Sequence, residues 1–350
     1  MSTAPLPPAG ALRRIAFLLE RAREPSYRVN AFRTAAAVVA GLDDAELDRR
    51  VRTKTLTELK GIGDKTAAVV VEAHRGELPA YLRGLEETYA ELAPLADEAA
   101  ALRAALKGDL HAHSDWSDGG SPIRDMAEAA LSIGHEYLAL TDHSPRLTVA
   151  NGLSPQRLEQ QLDVVAALNA ELAPFRVLTG IECDINVDGS LDQVDELLGR
   201  LDVVVASVHS DLRAASAQMT ERMLAAVENP HTDVLGHCTG RLVIGRRQRN
   251  GSQKPRPESQ FDADAVFRAC VEHGTVVEIN SRPERLDPPR RLLTQAVELG
   301  CDFAIDTDAH APGQLDWQDN GCTRAVECGV PADRVVNTLS ADALLARTHG

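Results

Sequence analysis

After Lys107 the chain repeats one pattern seven times: a short apolar run, a polar residue at its end, then a helix-like stretch. The runs are residues 108–110, 137–140, 176–181, 203–208, 232–236, 276–279 and 303–305. Continuous apolar runs suit parallel strands buried on both faces. Their alternation with helices suits a β/α barrel or a doubly wound sheet. In a β/α barrel the carboxyl ends of the strands share one face, and that face carries the active site. The residues that follow the runs are His111 with His113, His143, Glu182, His209, His237, Asn280, and Asp308 with His310. The pattern therefore gathers imidazoles and carboxylates from separate segments onto one rim.

His111 and His113 are two apart at a strand end, so period-two geometry points both the same way. Asp118 follows in the turn-rich Asp115-Trp116-Ser117-Asp118-Gly119-Gly120 loop. A single histidine near a strand end is ordinarily a core or surface residue. Six imidazoles and three carboxylates on one rim are hard to place without metal, because packing them together bare is electrostatically costly. Mixed nitrogen and oxygen donors suit Zn²⁺, Mn²⁺ or Fe²⁺ and disfavour Ca²⁺.

Gly108-Asp109-Leu110-His111-Ala112-His113, Ser117-Asp118-Gly119, Thr141-Asp142-His143-Ser144, Gly180-Ile181-Glu182, Ser207-Val208-His209-Ser210, Leu235-Gly236-His237 and Asp306-Thr307-Asp308-Ala309-His310 together resemble the PHP (polymerase and histidinol phosphatase) superfamily. The resemblance implies a distorted (β/α)7 barrel with three divalent metal ions. It implies that His111, His113, Glu182 and Asp308 hold one ion. Glu182 bridges to a second, also held by His209 and His237, and Asp118, His143 and His310 hold the third. The implied activity is phosphoester hydrolysis by a metal-activated hydroxide near Glu182, with Glu182, His143, Asp308 and His310 as catalytic residues. Metal ions can lower bound-water pKa to about 7 and clamp the attacking and leaving oxygens. No P-loop, Rossmann fingerprint or Ser/His/Asp elbow competes with this reading.

Two basic segments follow later strands. Residues 240–258 carry six basic residues and one acid. Arg241, Arg246 and Arg247 start just past His237, where they serve either as a clamp on substrate phosphate or as a solvated loop. Arg282 and Arg285 in Asn280-Ser281-Arg282-Pro283-Glu284-Arg285 bind phosphate or form structural ion pairs.

Residues 11–100 read as helices joined by short turns. Leu59-Lys60-Gly61-Ile62-Gly63-Asp64-Lys65 resembles a helix-hairpin-helix motif. Gly61, Gly63 and Lys65 are its expected DNA contacts, through backbone N–H groups and a helix N-terminus that bind phosphate without reading sequence. Tyr27-Arg28-Val29-Asn30-Ala31-Phe32-Arg33 resembles the small helical domain of family X DNA polymerases. Bacterial members carry a PHP domain at the C-terminus. This chain joins the two ends without the polymerase core, so no polymerisation is expected. The resemblance places a Schiff-base lysine of the lyase-active members at Val69, which argues against lyase activity.

The expected domains are a helix-hairpin-helix domain over 1–85, a helical linker over 86–105 and a PHP domain over 106–350. The net charge of −15 argues against a general nucleic-acid coat protein. The charge is uneven: residues 1–100 hold 14 Lys+Arg against 15 Asp+Glu, and the rest hold 23 against 37. Six cysteines without a C-x-x-C pair fit reduced thiols in a cytoplasmic protein. No apolar run approaches the ~18 residues of a membrane span. The favoured partner is DNA, for a 3′–5′ exonuclease or a 3′-end or abasic-site processing enzyme. A small phosphorylated metabolite such as histidinol phosphate is the alternative. With aromatics at 3% no base-stacking platform is evident.

Overall fold

A computed structural model describes residues 6–90, 94–245 and 254–348, in two compact units, 1–94 and 95–350. Arg246 and Arg247 lie outside the described residues.

The first unit is helical: α1 (Pro8–Arg21), α2 (Ser26–Ala40), α3 (Asp44–Thr53), α4 (Asp64–His74) and α5 (Ala80–Ala90). Asp43 caps α3 by accepting the Glu46 N–H at 2.7 Å. Leu12, Ile15, Leu19, Phe32, Val39, Ile62, Val69, Val70 and Leu82 are buried and form its core. Between α3 and α4 the chain turns at Gly61, with φ +101°. A β-carbon there would lie 2.7 Å from Thr34 Cγ2, so both the dihedral and the close approach require glycine. Gly63 differs: its φ is −103°, and a β-carbon would meet nothing within 4 Å.

The second unit opens with α6 (Asp97–Ala105), so the stretch expected as one connector contains two helices, α5 and α6, in different units. Seven strands follow: β1 (Gly108–Ala112), β2 (Tyr137–Leu140), β3 (Arg176–Asp184), β4 (Val203–Ser207), β5 (Val234–Leu235), β6 (Val276–Asn280) and β7 (Phe303–Asp306). All pair in parallel in the order β1 to β7. Helices α7 (Ile123–Ser132), α8 (Pro155–Leu172), α9 (Asp195–Leu198), α10 (Ser216–Val227), α11 (Ala263–His273) and α12 (Arg290–Leu299) fill the connections, and α13 (Gln318–Glu327) and α14 (Ala341–Thr348) close the chain. The sheet curls until β1 meets β7, where His113 N–H donates to Ala309 O at 2.8 Å. This is the distorted seven-stranded barrel that the apolar runs and the resemblance imply.

Along the strands the two faces separate. Val203, Val205, Val234, Val276 and Ala304 cluster with Val336, Ala341 and Leu344, which plug the amino-terminal mouth. Val204, Ala206, Leu235, Val277, Ile279 and Ile305 cluster with the helices outside. Gly236 is needed at the end of β5, because a β-carbon would sit 2.3 Å from Ser207 Oγ. All six cysteines are free and buried. Among the described residues, no helix is long and apolar enough to cross a membrane.

Candidate metal centre

The carboxyl ends of the strands bring all nine expected ligands together. Glu182, at 1% exposure, is the hub. Its Oε2 lies 3.4 Å from His111 Nε2, 3.5 Å from His113 Nε2 and 2.8 Å from His143 Nδ1. Its Oε1 lies 2.8 Å from His237 Nε2 and 3.2 Å from His209 Nε2. Asp308 Oδ1 is 3.5 Å from His113 Nε2. At the outer edge Asp118 Oδ1 is 3.5 Å from His143 Nε2 and 3.2 Å from His310 Nε2. Four groups offer ligand atoms within 4.8 Å of one another: His113–Asp118–His143–His310, His111–His113–Asp308, His111–Glu182–His237 and His143–Glu182–His209. The partition implied by the resemblance puts His209 and His237 together on Glu182, and in the fold both rings face one oxygen, Glu182 Oε1, at 3.2 and 2.8 Å.

A bare polar cluster should satisfy itself with hydrogen bonds. This one does not. Among the described residues, His111 Nε2, both ring nitrogens of His113, His143 Nδ1, His209 Nε2, His237 Nδ1 and Glu182 Oε2 are buried without a hydrogen-bond partner. Buried histidine nitrogens and a carboxylate oxygen without hydrogen bonds, one lone pair from each neutral imidazole, are what a divalent cation requires, so the residues fit metal ions.

The electrostatics are those of a cluster sharing too few protons. Burial resists charge on His111, yet Glu182 and Glu278 raise its pKa well above the ordinary value. The same contest, with Glu182 and Asp184 as partners, pushes His209 up to about 9. His113 is driven down by burial and by its neighbours His310 and His143. Glu182 stays ionised: burial would raise its pKa, but His209, His111 and His143 outweigh that. Burial also opposes ionisation of Asp308, and Arg285 and Arg282 overcome it. Two ligands sit on left-handed backbone, His237 at φ +20° and Asp308 at φ +52°, a conformation non-glycine residues hold only when their surroundings impose it.

Residues that the strand-end pattern did not single out hold the ligands in place. Glu278 Oε1 accepts from His111 Nδ1 at 2.6 Å, and Asp184 accepts from His209 Nδ1. Asp142 accepts from Ser114 N–H at 2.8 Å, Ser117 Oγ at 2.5 Å and Gln161 Nε2 at 2.7 Å, pinning the loop that presents Asp118. The available signal was a charged residue inside an apolar run, as in Val276-Val277-Glu278-Ile279.

The basic residues divide. Arg285 Nε donates to Asp308 Oδ2 at 2.9 Å, and its Nη1 is buried without a partner. Arg282 Nη1 donates to Asp308 O at 3.0 Å and lies 3.0 Å from His310 Nδ1. Arg241 is engaged otherwise: it donates to Arg285 O at 3.1 Å and to Leu286 O, and lies 3.6 Å from Glu258. It staples the loops after β5 and β6.

In the first unit a cavity of about 590 Å³ adjoins the hairpin, lined by Tyr27, Arg28, Phe32, Gly61, Lys65 and Tyr81 among others. Arg28 is held by Tyr81 Oη at 2.7 Å and Glu24 at 2.7 Å. Tyr27 is 76% exposed, so an aromatic face is present where composition alone showed no platform. Val69, where the resemblance places a lyase lysine, is 1% exposed and part of the core.

Residues 109–282 match the PHP domain family, and residues 7–77 match a helix-hairpin-helix domain family. The chain is 42% identical over 235 residues to the DNA polymerase/3′-5′ exonuclease PolX of Bacillus subtilis strain 168. That alignment takes in 67% of this chain and 40% of the relative, so the chain spans well under half of that protein's length. It is 25% identical over 241 residues to a protein named "Probable phosphatase" from Thermoanaerobacter sp. strain X514, covering 66% of this chain and 89% of that one. A histidinol phosphate phosphatase of Lactococcus lactis, solved with zinc, L-histidinol and phosphate, superposes with a TM-score of 0.46 at 20% identity. It covers 64% of this chain and 94% of its own.

Proposed function

We propose that this chain, which carries a PHP domain joined to a helix-hairpin-helix domain, is a phosphoester hydrolase that acts on DNA as a metal-dependent 3′–5′ exonuclease or 3′-end or abasic-site processing enzyme. The observation that carries the reading is one chain holding both parts: histidine nitrogens and a Glu182 oxygen buried without hydrogen-bond partners at the barrel mouth, and a hairpin whose Gly63 leaves open space for an outside partner.

His111, His113, Glu182 and Asp308 would hold one ion, Glu182 with His209 and His237 the second, and Asp118, His143 and His310 the third. Bound there, Zn²⁺, Mn²⁺ or Fe²⁺ supplies an acidified water and positive charge against the phosphoryl oxygens. The protein does the rest. Glu182 keeps its charge under the combined pull of His209, His111 and His143, so it stays a ligand rather than an acid. Arg285, fixed through Nε on Asp308, directs its unpartnered Nη1 to a phosphoryl oxygen. His143 and His310 flank Asp118 at the outer edge of the cluster, and the leaving oxygen would depart on that side. In the first unit, Arg28 and Lys65 beside the α4 N-terminus suit a strand phosphate, and Tyr27 suits a base.

A phosphatase for small monoesters is the second reading. What favours it is that the Thermoanaerobacter relative named as a phosphatase aligns over 89% of its length. One experiment separates them. With Mn²⁺, a 5′-labelled oligonucleotide, single-stranded or gapped, should shorten from its 3′ end, and His111→Ala should not do this. Phosphate release from histidinol phosphate without strand shortening would replace the DNA reading with the second.

A further inference from the structure

We propose that Glu278 is a positioning residue shared by His111 and His237, and that it sets the metal affinity of the positions built on Glu182. This rests on the reading of the barrel mouth as a metal site.

Glu278 lies in β6 between Val277 and Ile279 and has no exposed surface. A lone carboxylate in such a place is strongly penalised by desolvation unless it is paired. Among the described residues no lysine or arginine forms an ion pair with it; His111 does, at 2.6 Å. Its further donors are the backbone N–H of His237 at 2.5 Å and Asn280 Nδ2 at 3.2 Å. Two of the three donors thus belong to expected metal ligands, one after β5 and one on β1, whose rings stack with centroids 5.8 Å apart.

Each bond fixes a different thing. With the proton on His111 Nδ1, the lone pair is on Nε2, 3.4 Å from Glu182 Oε2 and unreached by any donor. The bond to His237 N–H holds a main chain at φ +20°, and the ring then stands with Nε2 2.8 Å from Glu182 Oε1. One buried carboxylate therefore aims one imidazole at each oxygen of Glu182. A neutral amide cannot do both. Glutamine has one carbonyl oxygen, and its NH₂ would meet either His111 Nδ1–H or His237 N–H donor to donor. Outer partners of this kind govern ligand orientation and basicity.

The test titrates Co²⁺ into the full-length, metal-stripped protein and its Glu278→Gln variant, following visible absorption and retained metal. Uptake by the Glu182-centred positions should weaken about 10- to 100-fold, with uptake at Asp118, His143 and His310 and the circular dichroism unchanged. Asp184→Asn, which frees only His209, should weaken the position His209 shares with Glu182 and His237 and leave the one built on His111, His113 and Asp308 at wild-type affinity. Wild-type uptake by Glu278→Gln, or equal loss at every position, would overturn the proposal. Uptake by neither wild type nor variant would overturn the metal site itself, and this inference with it. If Glu278→Gln does not fold, the Zn²⁺-loaded wild type decides. Long-range ¹H–¹⁵N correlation should place the His111 proton on Nδ1, and a proton on Nε2 would refute it.

Discussion

Gly61 and Gly63 stand two residues apart in one turn, and the structure gives them opposite roles. Gly61→Ala forces a side chain onto φ +101° and brings a β-carbon to 2.7 Å from Thr34 Cγ2. The left-handed backbone alone costs roughly 1–2 kcal/mol, and the overlap adds about as much again unless Thr34 changes rotamer. Gly63→Ala meets neither penalty, since φ is −103° and nothing lies within 4 Å. Gly63 is the N-cap of α4, where alanine is less favourable than glycine, so the effect on folding should be a small destabilisation of about 0.5 kcal/mol, well short of that of Gly61→Ala. If the open space at Gly63 is where a DNA phosphate approaches the α4 N-terminus, the added methyl should obstruct that contact. Losing one phosphate contact lowers the salt slope of binding by about one unit, and a tenfold loss of affinity corresponds to about 1.4 kcal/mol. Urea unfolding and fluorescence-anisotropy titrations of a gapped duplex at several salt concentrations measure both effects. Gly61→Ala should unfold earlier, whereas Gly63→Ala should unfold close to wild type and bind DNA more weakly, with a shallower salt dependence. Wild-type DNA binding by Gly63→Ala, or equal destabilisation by both substitutions, would refute the reasoning.

Asp233 gives a pH prediction away from the metal cluster. Its carboxyl accepts the Val204 N–H at 2.7 Å, and burial pushes it up to about 7. The folded state therefore binds the proton more tightly than the unfolded one, whose carboxyl titrates near 3.9. Its contribution is complete below about pH 4, falls by ~1.4 kcal/mol per pH unit as pH rises, and is lost past about 7, a total of order 4 kcal/mol. The urea midpoint of Asp233→Asn should gain on wild type between pH 5 and pH 8, and a difference that does not move with pH would contradict this. For the metal centre, stripping with a chelator should lower the melting temperature of the barrel unit. Restoring free Zn²⁺ or Mn²⁺ to 100 times its dissociation constant should return ~2.7 kcal/mol. Calorimetry showing the same melting with and without metal would speak against ion binding at Glu182.

The barrel was legible because its signal is local. Each apolar run is a strand of a few residues, and each ends at the polar residue that the fold needs at one mouth. The runs at 203–208 and 276–279 locate β4 and β6 to within a residue or two. The pairing of ligands was not legible in this way. His209 and His237 meet at one oxygen of Glu182, and His111, His113 and His143 face the other, which depends on the curl of the sheet and on the turn at His237. Arg241 illustrates the same limit: its place after His237 suggested a phosphate clamp, and the fold engages it with carbonyls of the neighbouring loop.

By itself the sequence determined which atoms are available for chemistry: six imidazoles, three carboxylates and a glycine turn, each fixed by residue type and by its position relative to a strand or helix end. Only the tertiary structure decided which of them meet, and what stands behind them. Glu278 is an ordinary acid in the sequence, and its role exists only where β1, β5 and β6 converge. Periodicity along a chain specifies the direction of a side chain relative to its own strand. Hydrogen bonds between strands distant in sequence depend on closure of the barrel, which no single segment encodes.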